Sequence, residues 1–133
     1  VASPAYLARH GTPTKAAHVL AHRCLVVRGP DNKPRKLWFA SGELAVAPAL
    51  VVDHGPTVID AALAGLGITQ GFDVMVDELL RDGRLVELMP DDVAAGPDLV
   101  AVCPAGRRAS ANVRAAFDAL AGHFAREPAA RER

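Results

Sequence analysis

The chain has 133 residues, half of them hydrophobic and only 5% aromatic, enough for one ordinary domain with an aliphatic core of Ala, Val and Leu. Fifteen Lys+Arg balance fifteen Asp+Glu, which argues against a chain that itself grips nucleic acid, where counterion release needs a basic surface. No run of about 18 uncharged apolar residues could span a bilayer and no basic-then-apolar leader precedes a cleavage site, so a cytoplasmic protein without membrane contact is expected.

Val1 and Ala2 read as the end of a strand that begins upstream, as in a fragment cut within a sheet. Ser3 followed by Pro4 is an N-cap with proline at the first helical position, and Gly11 closes a short helix over 5–10. Thr14 is placed to cap a second short helix ending at Ala21. "CLVVRG" is a buried strand ended by the turn-rich "GPDNKP". "KLWFASGELAVAPAL" holds two strands joined at Ser41-Gly42, with Pro48 ending the second or keeping it at an edge, and "LVVD" is a further strand.

The stretch "AALAGLGITQG" carries glycines at 65, 67 and 71, a pattern that invites comparison with a phosphate-binding loop. A dinucleotide fingerprint is G-x-G-x-x-G between a strand and a helix. Here the spacing is G-x-G-x-x-x-G and the order is reversed, with a helix over 56–64 and a strand from Ile68. Gly65 therefore ends a helix, where the partial negative charge of the C-terminus repels phosphate. Downstream, "DVMVDELLRDG" places Val76, Leu79 and Leu80 on one helical face with Gly83 as the cap. "LVELM" is a strand, "PDDVAAGP" a polar connection and "DLVAVC" a strand again. Val113, Phe117, Leu120 and Phe124 recur at i, i+4, i+7 and i+11 of a final helix, and 127–133 reads as a disordered tail. Strands alternating with helices predict an α/β fold, its sheet mostly parallel or mixed and flanked by helices.

In this order and at these spacings, "VASPAYLARHGTP", "HRCLVVRG", "LWF", "VVDHGPTVIDAALAGLGIT", "DELLRDGRLVELMPD" and "LVAVCPAGRRASANVRAAFDALAGHF" resemble the second half of the effector-binding region of LysR-type transcriptional regulators. The resemblance implies a periplasmic-binding-protein-like (type II) fold of two α/β lobes with a small-molecule effector between them. It implies that 1–89 form lobe two, 90–97 a crossover, and 98–126 a strand and helix returning to lobe one. It further implies homo-oligomers, dimeric or tetrameric in a full-length protein, and DNA contact only through a helix-turn-helix outside this chain. Asp53 stands where the family often has Asn, and Gly71-Phe72 replace a common apolar-Pro pair, so ligand class does not transfer from a relative.

Ligands of open α/β sheets lie beyond the carboxyl ends of the strands. Candidate effector-binding residues are therefore Arg28 and Gly29 after "CLVV", Asp53, His54, Gly55 and Thr57 after "LVV", and Thr69 and Gln70 after "GI". A guanidinium holds a carboxylate by two parallel bonds and a helix start offers free N–H groups, so a small organic anion is the expected effector. Val113, Phe117, Leu120 and Phe124 are the candidate oligomer interface.

Other chemistries are weaker. His18 and His22 are i and i+4 with Cys24 just beyond, yet H-E-x-x-H is absent and zinc needs three or four ligands, so no metal is expected. Cys24 and Cys103 suit buried free thiols in a reducing compartment, and their pairing stays open from sequence. Ser41, Ser110 and the cysteines lie in no nucleophile motif, so neither catalysis nor a cofactor is expected. The alternative reading is a free-standing solute-binding or protein-interaction domain without a DNA partner.

Overall fold

The computed structural model describes residues 1–96, 100–104, 106 and 110–126, with side chains as far as Phe124. Helix α1 spans Pro4–His10; its Ser3 hydroxyl accepts the Tyr6 N–H at 3.4 Å, and Gly11 (φ +79°) closes it by donating to the Leu7 carbonyl. The expected second helix is a 3-10 helix, Ala16–Ala21, with no side-chain cap. The Thr14 hydroxyl pairs instead with His18 Nδ1 at 3.3 Å and leaves the backbone without a capping acceptor.

Strand β1 is Cys24–Val27, β2 Leu37–Phe39, β3 Gly42–Leu44 and β4 Pro48–Val52. β1 and β4 pair in parallel, Leu25 with Leu50 through Val27 with Val52, while β2 and β3 form an antiparallel hairpin with Trp38 opposite Glu43. Pro48 thus begins β4 at the edge of the parallel pair, where no ladder hydrogen bond from its nitrogen is required. On the other side of β1 the pairing continues as isolated bridges, Cys24 with Ile68 in parallel and Ala2 with Val86 antiparallel. The strands expected from Ile68 and over 85–89 are reduced to these bridges. A strand exists only as far as a neighbour keeps step with it, and Met89 already turns away at φ +52°.

Helix α2, Gly55–Leu63, lies between β4 and the Ile68 bridge. It ends with the Gly65 N–H donating to the Ala62 carbonyl and the Leu66 N–H to the Ala61 carbonyl, a Schellman closure with Gly65 at φ +76°. Helix α3, Asp73–Arg81, ends the same way, from Gly83 to Leu80 and from Arg84 to Leu79. Gly67 answers a different need: a Cβ there would lie 2.2 Å from the Arg23 carbonyl oxygen, so only glycine lets this strand approach β1. The main core joins Leu25 of β1 to Val58, Ile59, Ala61 and Ala62 of α2, with Val76 and Leu85. Removing each large aliphatic side chain from water here contributes about 1.5 to 3 kcal/mol.

The chain divides into two units, Val1–Gly96 and Pro97–Arg133. In the second, helix α4 spans Ala111–Arg126, with Val113 and Phe117 half-buried and Leu120 and Phe124 exposed. The strand expected at "DLVAVC" is not formed over its described part, 100–103, where no ladder bonds hold it. Asp98, Leu99 and the expected tail at 127–133 lie outside the described residues.

Candidate functional site

Parallel strands β1 and β4 end side by side, so Arg28 and Asp53, 25 residues apart, meet: Arg28 Nε donates to Asp53 Oδ1 at 2.8 Å. Arg28 Nη1 also donates to the Asn32 carbonyl at 3.2 Å, across a turn that Gly29 closes by donating to the Lys33 carbonyl. Two candidate effector ligands, one cation and one anion, thus occupy each other. The Asp53 side chain remains 79% exposed, so water screens the pair. Next to it, His54 Nδ1 and Thr57 Oγ1 lie 3.0 Å apart at the start of α2, beside Gly55.

Thr69 and Gln70 stand apart from this group. The Thr69 hydroxyl is buried and donates to the Leu25 carbonyl at 2.8 Å, which satisfies a β1 acceptor beside the Ile68 bridge. Gln70 reaches the hairpin: its Oε1 accepts the Trp38 N–H at 2.7 Å and its Nε2 donates to the Trp38 carbonyl.

Gln70 also divides two clefts. The first, about 90 Å³, lies between β1 and β2 with Arg35, Lys36 and Trp38 on the hairpin side and Thr69 on the other. The second, about 80 Å³, runs from Phe39 to α3 and carries Asp73, Glu87 and Asp92 among apolar walls. In the first, the Arg35 guanidinium lies 5.8 Å from the centre of the Trp38 ring, and Lys36 pairs with Glu43 at 2.7 Å on the surface. Sequence reasoning did not single out Arg35, Lys36 or Trp38. The one available signal was a lone Trp two positions beyond two adjacent cations in an aromatic-poor chain.

His10 and His22 form a separate network around Tyr6. Tyr6 is fully buried, its phenol oxygen accepts the Arg23 N–H at 3.0 Å and it lies 3.3 Å from His22 Nδ1. Burial, and then the neighbouring His10 and His18, hold the His22 imidazole below its ordinary range. Cys24 and Cys103 are both free, and burial raises the Cys24 thiol. Among the described residues no three His, Cys, Asp or Glu side chains gather as metal ligands, and no helix is long and apolar enough to cross a membrane.

Parallel strand ends beside a helix start, with a hairpin walling an adjacent cleft, are where α/β folds place ligands, and the fold is that of the periplasmic-binding-protein-like, type II class. The family described as LysR substrate binding domain matches residues 1–125, and the chain belongs to it. It is 33% identical over 118 residues to the uncharacterized HTH-type transcriptional regulator YcaN of Escherichia coli K12, covering 88% of this chain and 39% of that protein. To the HTH-type transcriptional regulator CrgA of Neisseria meningitidis (serogroup C, strain 8013) it is 30% identical, covering 71% of this chain and 32% of that one. The solved regulatory domain of CrgA, a LysR-type regulator from Neisseria meningitidis, superposes with a TM-score of 0.77 at 26% identity, over 92% of this chain and 61% of that one. The regulatory domain of AphB from Vibrio vulnificus gives 0.57 at 33% identity, over 70% of this chain and 48% of that one. The chain thus spans about two-fifths of YcaN and a third of CrgA.

Proposed function

We propose that this chain is the effector-sensing part of a LysR-type transcriptional regulator. In this reading a small organic anion binds between two lobes, residues 1–89 forming lobe two and 98–126 returning to lobe one. DNA is bound by a helix-turn-helix outside the chain, and no catalytic step is involved. The single observation that carries the ligand reading is the meeting of Arg28, Asp53 and the start of α2 at the ends of parallel β1 and β4. Arg28 keeps N–H groups beyond its bonds to Asp53 and Asn32, and α2 adds the positive end of its dipole. Gly29, His54, Gly55 and Thr57 complete that rim, while Thr69 and Gln70 border the neighbouring cleft. The stripe of Val113, Phe117, Leu120 and Phe124 is proposed as the surface through which copies associate, its exposed apolar side chains being poor neighbours for water.

Calorimetric titration of carboxylates into a protein containing the whole effector region, beside its Arg28→Ala variant, tests the reading. Loss of carboxylate binding in the variant is expected. Equal affinity for both proteins, or binding of neutral ligands only, would overturn it.

A further inference from the structure

β2 is a strand with one true neighbour. β3 pairs along one edge, with Leu37 opposite Leu44, Trp38 opposite Glu43 and Phe39 opposite Gly42. In an antiparallel pair every second residue turns its N–H and C=O outward, away from the partner. For Trp38 both groups point to Gln70, whose carboxamide accepts from the N–H at 2.7 Å and donates to the C=O. These are the two bonds a further strand would make, supplied by one side chain 32 residues away in the chain. The far end of the hairpin is seated separately. Asp92 Oδ1 accepts the Ser41 N–H at 2.8 Å, its Oδ2 accepts the Ser41 hydroxyl at 2.8 Å, and the Ala40 N–H reaches the Asp92 carbonyl at 3.2 Å.

From this geometry we infer that Gln70 is a positioning residue, a surrogate strand that docks the β2–β3 hairpin beside β1 and fixes the cleft carrying Arg35, Lys36 and Trp38. Its consequence for effector binding rests on the functional reading above; the docking itself does not. Gln70 acts through Trp38, whose main-chain N–H and C=O its amide oxygen and one amide N–H hold.

Chemistry offers a specific test. A carboxylate at position 70 still accepts the Trp38 N–H but turns a second acceptor on the Trp38 carbonyl, whereas a protonated carboxylic acid presents the same donor and acceptor as a carboxamide. The titratable groups sharing the two clefts with it are Arg35 and Lys36 on one side and Asp73, Glu87 and Asp92 on the other. Amide hydrogen exchange on the full chain is followed at pH 7 and pH 4, corrected for the intrinsic rate, in wild type, Gln70→Glu and Gln70→Leu. At pH 7 both variants should exchange about tenfold faster across Leu37–Phe39 and Gly42–Leu44, as expected for two lost hydrogen bonds. At pH 4 Gln70→Glu should return toward wild-type protection while Gln70→Leu does not, and β1, β4 and α2 serve as the internal reference. Wild-type protection of the hairpin in Gln70→Leu, or no recovery of Gln70→Glu at pH 4, would overturn the assignment. A parallel titration of the whole effector region with acetate separates the two readings. If the Val27, Arg28 and Trp38 resonances do not move in wild type, the effector reading fails while the exchange result stands.

Discussion

The α2–β1 interior and the β2–β3 hairpin belong to one unit yet are held by different forces. The interior is closed by area: Leu25, Val58, Ile59 and Ala62 are almost wholly removed from water, its turns are fixed by Gly65 and Gly83, and Gly67 permits its close backbone approach. The hairpin buries Leu37 against Val19, Cys24 and Val26 with Phe39 and Leu44 half-buried beside it, and adds Gln70, Asp92, the Arg28–Pro34 bridge and the bridge from Phe39 to Val93. A hydrogen bond exposed to water contributes about 1 kcal/mol net, whereas a buried leucine contributes two or three times that. The wall of the cleft is therefore easier to displace than the floor.

Substitutions rank the two regions. Leu25→Ala should cause the largest loss, about 2 to 5 kcal/mol by urea unfolding, since it opens a cavity under α2. A loss below 1 kcal/mol would place the core elsewhere. Gly67→Ala should follow, because its Cβ meets backbone that cannot rotate away; loss of exchange protection at Leu25 and Ile68 is the expected sign. Thr69→Val leaves the Leu25 carbonyl without its donor and should remove about 1 to 3 kcal/mol.

The pH dependence comes next. The folded state lowers the His22 pKa, so as pH falls the unfolded chain takes up the proton first. This contribution to stability is full above the ordinary histidine range and is lost as pH drops through it toward the lowered value. The groups facing His22 are the Tyr6 phenol, His10 and His18, with no carboxylate among the causes of the shift. The melting temperature should therefore fall between pH 7.5 and 5.5, and fall less in His22→Gln; an identical slope would assign the effect to other groups. The smallest effect is expected at the surface pair. Asp53→Asn should change stability by less than about 1 kcal/mol, and added salt should shrink the difference further, because both side chains are more than a third exposed.

How far the sequence could be read follows the range of the forces involved. The Ser3-Pro4 start and the stops at Gly65 and Gly83 were legible because a cap is settled within one turn of chain. The α4 stripe was legible from its period, although how much of it is covered was not. The strands expected at Ile68 and over 85–89 failed to extend because apolar runs report burial, while strand length depends on a partner whose reach no local pattern encodes. The candidate residues were placed at strand ends by topology alone. That Arg28 would meet Asp53, and that Gln70 would be spent on the main chain of Trp38, depended on contacts across 25 and 32 residues.

The hairpin is an excursion between two strands that lie next to each other. The chain leaves β1 at Val27 and rejoins the same sheet in β4 at Pro48. Closing a surface loop becomes costlier only with the logarithm of its length, about 0.6 kcal/mol for each doubling. Lengthening the turns between Arg28 and Ala47 is thus cheap for the parallel frame, provided that Leu37 stays buried and something at position 70 still catches β2. Descendants of one ancestor could in this way trade binding walls as cassettes while inheriting an unchanged chassis.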